Sequence, residues 1–277
     1  MDKPAGLTSH DVVHRVRRLL GTRAVGHTRT LDPFATGLLV VLVGRATRLA
    51  RFVEAQSKRY LATARLGVAT ETDDPTGAPL GEPVGVGHLD GAVIRAALEQ
   101  FVGEQRQRPP RYSAKHVDGE RSYRLARRGK GVDPADVSIT VERAELVGCE
   151  LPDIRFRVTV SPGTYVRAIA RDLGERLGVG AHLTALRREA IGGLLVSDAV
   201  PLDRLTREAL RPVRTVLPHL PAVELDEPAR IAVSHGRAVP ASDGPEGDVA
   251  LVHAGEVVAV ARGADGWLRP AVVLGTA

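Results

Sequence analysis

The sequence predicts an α+β protein in two parts. Mixed strands and helices fill residues 1–217, and a small β-rich tail covers 222–277. Three observations carry this. Residues 58–67 and 153–161 alternate apolar and polar side chains with the period of a half-buried strand. Segments 9–21, 90–102 and 164–177 repeat apolar residues at helical spacing. Pro212, Pro218 and Pro221 then mark a linker, beyond which short β runs are broken by Gly-Asp turns.

The first helix, 9–21, takes Ser9 as N-cap, Val12, Val13, Val16, Leu19 and Leu20 as one apolar stripe, and Gly21 as its stop. Residues 26–37 are rich in turn formers. The apolar run 38–43 follows and reads as a buried strand or a short helix. Asp32 sits between Leu31 and Pro33, and the proline biases it away from helix. A carboxylate so placed either caps a turn or is presented as a nucleophile or base. The strand at 58–67 leads into Thr70-Glu71-Thr72-Asp73-Asp74-Pro75-Thr76-Gly77. Its acids are the right chemistry for a hard cation, but their spacing fits no loop motif, so they read as solvated turn acids. Asp90 caps the helix 90–102, with Val93, Ile94, Ala97, Leu98 and Phe101 inward.

Residues 105–130 hold nine Arg or Lys against two acids, Asp118 and Glu120, with Tyr112 and Tyr123 interleaved. Pro109-Pro110 and Gly129-Lys130-Gly131 bracket the segment like a projecting arm. It suits either a backbone-plus-stacking RNA contact or a solvated charged face. In 153–161, Ile154, Phe156, Val158 and Val160 face one way and Arg155, Arg157, Thr159 and Ser161 the other. Pro162-Gly163 turns the chain, and Thr164 can cap a helix whose apolar face is Val166, Ile169, Ala170, Leu173 and Leu177. Arg167 lies in its first turn, where a cation is poorly matched to the helix dipole. It reads as a residue with a specific anionic partner or as an ordinary surface arginine. A shorter helix is expected at 181–189, with Leu183 and Leu186 inward. The tail adds one helix, 226–234, and β runs near 249–253, 256–262 and 267–274.

The net charge is +5 over 277 residues, yet the tail alone carries eight acids and four arginines. The basic body points to an anionic partner, of which nucleic acid is the commonest. No apolar run is long enough to span a bilayer, and no membrane partner is expected. The opening shows no signal-peptide pattern. The single cysteine, Cys149, excludes an internal disulfide and a Cys-cluster zinc site. A cytoplasmic location is expected.

Several segments together carry a resemblance. They are Asp2-Lys3-Pro4-Ala5-Gly6-Leu7-Thr8-Ser9, Gly26-His27-Thr28 with Leu31-Asp32-Pro33-Phe34-Ala35-Thr36-Gly37, and Lys58-Arg59-Tyr60. Further on come Gln107-Arg108-Pro109-Pro110-Arg111-Tyr112-Ser113-Ala114-Lys115, Gly163-Thr164-Tyr165-Val166-Arg167, and Leu183 through Arg188. In this order the set resembles bacterial TruB-type tRNA pseudouridine(55) synthases.

The resemblance implies a pseudouridine-synthase-like fold over 1–217, a mixed, mainly antiparallel sheet flanked by helices. It implies a PUA-like domain over 222–277. The implied reaction isomerises the uridine at position 55, in the T-loop of tRNA, by base flipping and an aspartate nucleophile. Assistance to tRNA folding is a second implied role. Asp32 looks like the nucleophile, attacking base or ribose. Tyr60 looks like the ring that stacks on the target base, and Arg167 like the cation paired with Asp32. His27, Tyr165, Leu186, Arg108 and Lys115 look like substrate-binding residues. The basic segment 105–130 corresponds to an insertion that grips the T-arm. The expected partner is tRNA, without a guide RNA, bound by a monomer.

Physics is consistent with these roles. A base inside an RNA stack must be extruded before chemistry can reach it. A part-buried carboxylate stays ionised when an arginine lowers its pKa, by roughly 1–3 units. The implied isomerisation keeps every atom of the substrate, so neither a redox cofactor nor a metal is expected. Two rivals are an RNA-binding factor without catalysis and a guide-RNA-directed synthase. Asp32, Tyr60 and Arg167 together argue against the first, and the long basic arm against the second. Arg29 departs from the pattern, standing where the family usually has glycine.

Overall fold

A computed structural model describes residues 1–112, 116–117, 120–121, 135–242 and 244–275. They form two compact units. One comprises 33–37 and 56–191; the other comprises 1–32, 38–55 and 192–277.

The first of these is built on a sheet whose strand order is Thr36–Leu38, Ala181–Ile191, Lys58–Leu66, Asp153–Val160, Val137–Glu150, Gly103–Gln107. Every neighbouring pair is antiparallel except Thr36–Leu38 with Ala181–Ile191, which is parallel. The expected mixed, mainly antiparallel sheet is therefore present. Ile154, Phe156, Val158 and Val160 are all buried, as their alternation requires. The helix Gly91–Glu99 packs on Val137–Glu150, and the helix Val166–Arg176 packs on Ala181–Ile191. Asp90 caps the former through its carboxylate, accepting from the N–H groups of Ala92 and Val93 at 2.8 and 2.9 Å. Ile94, Leu98 and Phe101 are buried, but Val93 is 46 % exposed, a turn away from the core.

The segment expected as a helix at 181–189 is a strand. Leu183 lies opposite Ala64 and Leu186 opposite Ala62, with a bulge between Leu183 and Ala185. The extra residue returns both leucines to one face at a three-residue spacing. That spacing imitates a helix, and only pairing with Lys58–Leu66 resolves it.

In the other unit the first helix runs Ser9–Leu20. Its cap is Thr8 rather than Ser9. Thr8 and Asp11 form a reciprocal capping box, and Gly21 ends the helix in the left-handed region at φ 67°. Ser9 is buried and its hydroxyl is used elsewhere. The apolar run 38–43 is extended, with Val41–Val43 pairing antiparallel to Val25–His27. Lys3 is fully buried; its ammonium donates to the carbonyls of Pro4 at 2.9 Å and Leu7 at 2.7 Å.

Residues 222–275 form a five-stranded sheet in the order Ala222–Glu224, Gly247–His253, Glu256–Ala264, Trp267–Val273, Val239–Pro240. Both faces are buried. Val249, Leu251, Ala259, Ala261 and Leu268 pack under the helix Glu227–Ser234 with Val233. Ala250, Val252, Val257, Val260 and Val272 pack against Leu49, Phe52, Leu217 and Leu220. Arg45 and Arg48 tie down the end of this sheet by donating to the carbonyls of Leu274 and Val273.

Candidate active site

The loop bearing Asp32 grows from short strands and is held by backbone bonds. His27 lies opposite Val41, and the Thr28 N–H reaches the Val40 carbonyl at 3.1 Å. Ser9 holds Leu31 at both ends: the Leu31 N–H donates to Ser9 Oγ at 2.9 Å, and that hydroxyl donates to the Leu31 carbonyl at 3.3 Å. The half-buried Asp32 thus stands between a residue pinned by the first helix and a proline of fixed φ. Arg29, within the same loop, has φ 113°. That is a region where a Cβ is crowded and glycine is at ease.

The sheet of the other unit places two more predicted residues. Tyr60 lies opposite Arg188 on one side and Val158 on the other, and Leu186 lies opposite Ala62. Tyr60, Ala62, Leu186 and Arg188 therefore share one face, and all are buried. Gly37 is required where the parallel strand meets this edge. A Cβ there would fall 2.4 Å from the Arg188 carbonyl oxygen, and its φ is 102°.

Arg167 is the most constrained of the predicted residues, at 6 % exposed. The reading of it as an ordinary surface arginine is therefore overturned. Its Nη1 donates to Asp74 Oδ2 at 2.9 Å and to the Thr72 carbonyl at 3.0 Å, and its Nη2 donates to the Tyr112 carbonyl at 3.0 Å. Such charge-assisted bonds fix the plane of the guanidinium as well as its position.

Asp73 and Asp74, read as solvated turn acids, are likewise buried, at 7 % and 4 % exposed. Asp74 Oδ1 accepts from the hydroxyls of Thr72 and Thr76, each at 2.6 Å, and from the Thr76 N–H at 2.9 Å. The Thr70 hydroxyl donates to the Asp74 carbonyl at 2.8 Å. Asp73 takes φ 59° and accepts from Arg171 Nη1 at 3.1 Å. Burial pushes the Asp73 carboxyl up to about 6, against the opposing pull of Arg171 and Arg167. Asp172, on the helix Val166–Arg176, is raised for the same first reason, burial.

Asp74, Thr72, Thr76 and Arg171 are residues that sequence reading passed over. A signal was present. Three threonines bracket the acids, and Asp-Pro-Thr-Gly can close an Asx-type turn that saturates a carboxylate from within. Among the described residues, no three His, Cys, Asp or Glu side chains converge on a metal position.

Of the predicted substrate-binding residues, Tyr165 precedes the Arg167 helix and is held through its backbone by Gln107. Arg108 is at the surface, 3.9 Å from Glu175 with both side chains more than half exposed. Lys115 and Tyr123 lie outside the described residues, as does most of the basic segment.

Comparison with known proteins gives these features a setting. The profile of the TruB family pseudouridylate synthase (N terminal domain) matches residues 17–166, and that of the tRNA pseudouridylate synthase B C-terminal domain matches 167–218. A tRNA pseudouridine synthase B of Burkholderia lata is 43% identical over 100% of this chain and 89% of its own length. One of Thermobifida fusca is 45% identical over 99% of this chain and 96% of its own length. Among solved structures, a chain of a Cbf5-Nop10-Gar1 complex superposes with a TM-score of 0.72 at 28% identity, over 94% of this chain and 76% of that one. The sequence match runs over essentially the whole chain: the chain belongs to the TruB family of pseudouridylate synthases.

Proposed function

We propose that this chain isomerises the uridine at position 55, in the T-loop of tRNA, to pseudouridine. Full-length similarity to two tRNA pseudouridine synthases B supports tRNA as the substrate. The observation that carries the mechanism is Arg167: a buried cation set by Asp74 and two backbone carbonyls. A polar group so fixed does not reorganise during reaction, which is what electrostatic catalysis requires.

In this reading Asp32 is the nucleophile, attacking the extruded uridine at base or ribose. The N-glycosidic bond breaks, and the uracil turns in place. A carbon–carbon bond to the ribose forms as the bond between Asp32 and the substrate breaks; the attacking ring carbon loses its proton and the freed ring nitrogen takes one up, so every atom is retained. Tyr60 is the stacking surface that holds the base, and Leu186 lines its pocket. Arg167 is the cation of the reaction centre. His27 occupies the place of the flipped nucleotide, Tyr165 supports the site, and Arg108 and Lys115 grip RNA. Residues 1–217 act as the catalytic domain, 105–130 as the RNA-gripping insertion and 222–277 as a PUA-like domain. The protein acts in the cytoplasm as a monomer without a guide RNA, and also aids tRNA folding.

The test is incubation of the purified protein with an unmodified tRNA transcript, followed by mapping of pseudouridine. Product at position 55 without added protein or RNA supports the proposal, and tight binding with no product sinks it. Asp32→Asn is expected to abolish product while tRNA binding persists. Near-normal turnover in that variant would remove Asp32 from the chemistry.

A further inference from the structure

Within the basic segment 105–130 the chain leaves the sheet after Gln107, and it rejoins the sheet at Val137, beyond that segment; these two residues are register partners. Gln107 is therefore the last residue of that strand before the chain leaves the sheet. It is also buried, at 3 % exposed. Its carboxamide is turned onto the start of the helix that carries Arg167. Oε1 accepts from the Tyr165 N–H at 2.9 Å, and Nε2 donates to the Tyr165 carbonyl at 3.1 Å. A side-chain amide here reproduces the two-bond contact of an antiparallel strand pair.

Tyr165 is the N-cap of that helix, extended at φ −105° and ψ 111°, with no side-chain cap of its own. Its carbonyl also accepts the first helical bond, from the Ile169 N–H at 3.2 Å. What fixes Tyr165 fixes where the helix begins, and Arg167 follows two residues later. The same root is tied twice more. Arg171 donates to the Arg108 carbonyl at 2.9 Å, and Arg167 itself donates to the Tyr112 carbonyl at 3.0 Å.

We infer that Gln107 is a positioning residue: its bidentate clamp on Tyr165 sets the Arg167 guanidinium and couples it to the root of the basic insertion. RNA held by the insertion then bears on the cation through hydrogen bonds rather than through a contact with it. The inference rests on the proposed activity, and its test separates the two.

Gln107→Met keeps the length and volume of the side chain and removes both bonds. Single-turnover pseudouridine formation is expected to slow by about 10–100-fold, the scale of a small misplacement of a reacting group. The tRNA dissociation constant should stay within about threefold, since no RNA contact is removed. Amide exchange at 166–169 should accelerate, a readout independent of activity. Gln107→Glu keeps only the acceptor and serves if the methionine variant fails to fold; an intermediate rate is expected. A wild-type rate in either folded variant overturns the inference. So does a weakening of tRNA binding that accounts for the whole loss of rate. Absence of product in the wild type would overturn the proposed function instead, and amide exchange would then decide the clamp alone.

Discussion

Single residues in this chain hold positions that their side-chain type would not choose. Arg29 sits at φ 113°, a conformation that costs a non-glycine residue about 1–3 kcal/mol. Glycine there would relieve the strain but give back about 0.5–1 kcal/mol of chain entropy. Arg29→Gly is therefore expected to stabilise the protein by about 1 kcal/mol in urea unfolding. A loss of stability would show that contacts of the arginine side chain outweigh the strain. Lys3 and Arg167 show the complementary case. Both are buried cations, tolerated because carbonyl oxygens, and for Arg167 a carboxylate, accept hydrogen bonds from them. Removing one partner of such a pair costs more than the pair contributes, about 3–5 kcal/mol.

At the scale of elements, the loop 70–77 behaves as a small polar core. Its hydroxyls and N–H groups saturate Asp74, while Asp73 is left with a carboxyl raised to about 6 by burial. The sign of its effect follows. Asp73 binds its proton more tightly folded than unfolded, where an ordinary aspartate titrates near 3.9. Stability from this group is full below about pH 4 and is lost as pH rises through about 6. Asp73→Asn cannot titrate. The variant is expected to gain on the wild type by about 1–3 kcal/mol between pH 4 and 6.5. Denaturant midpoints across that range measure it, and a pH-independent difference would refute the assignment.

At the scale of the whole molecule, the tail sheet is not closed by its own residues. One face is completed by Val233 and its helix, the other by Leu49, Phe52, Leu217 and Leu220 from outside the tail strands. A five-stranded sheet with two apolar faces needs two covers. Phe52→Ala is accordingly expected to cost about 3–5 kcal/mol. It should also speed amide exchange in 249–260, although Phe52 is distant in sequence. Unchanged exchange there would mean that the tail is stable without this cover.

By itself the sequence determined what is local and periodic. It specified the strand faces of 58–66 and 153–160, the cap at Asp90, the stop at Gly21 and the extended turn around Asp32. It also held the ordered motifs that mark the family. These depend on spacing, φ preference and nearby hydrogen bonds, all properties of a few consecutive residues. Tertiary structure decided what those residues meet. Leu183 and Leu186 became strand residues because a bulge and a partner strand brought them to one face. Asp74 became a buried anion because Arg167, 93 positions away, came within 2.9 Å. An acid in a turn looks the same in sequence whether water or a guanidinium faces it. Burial is set by long-range packing, and with it the charge, the pKa and the role of the group.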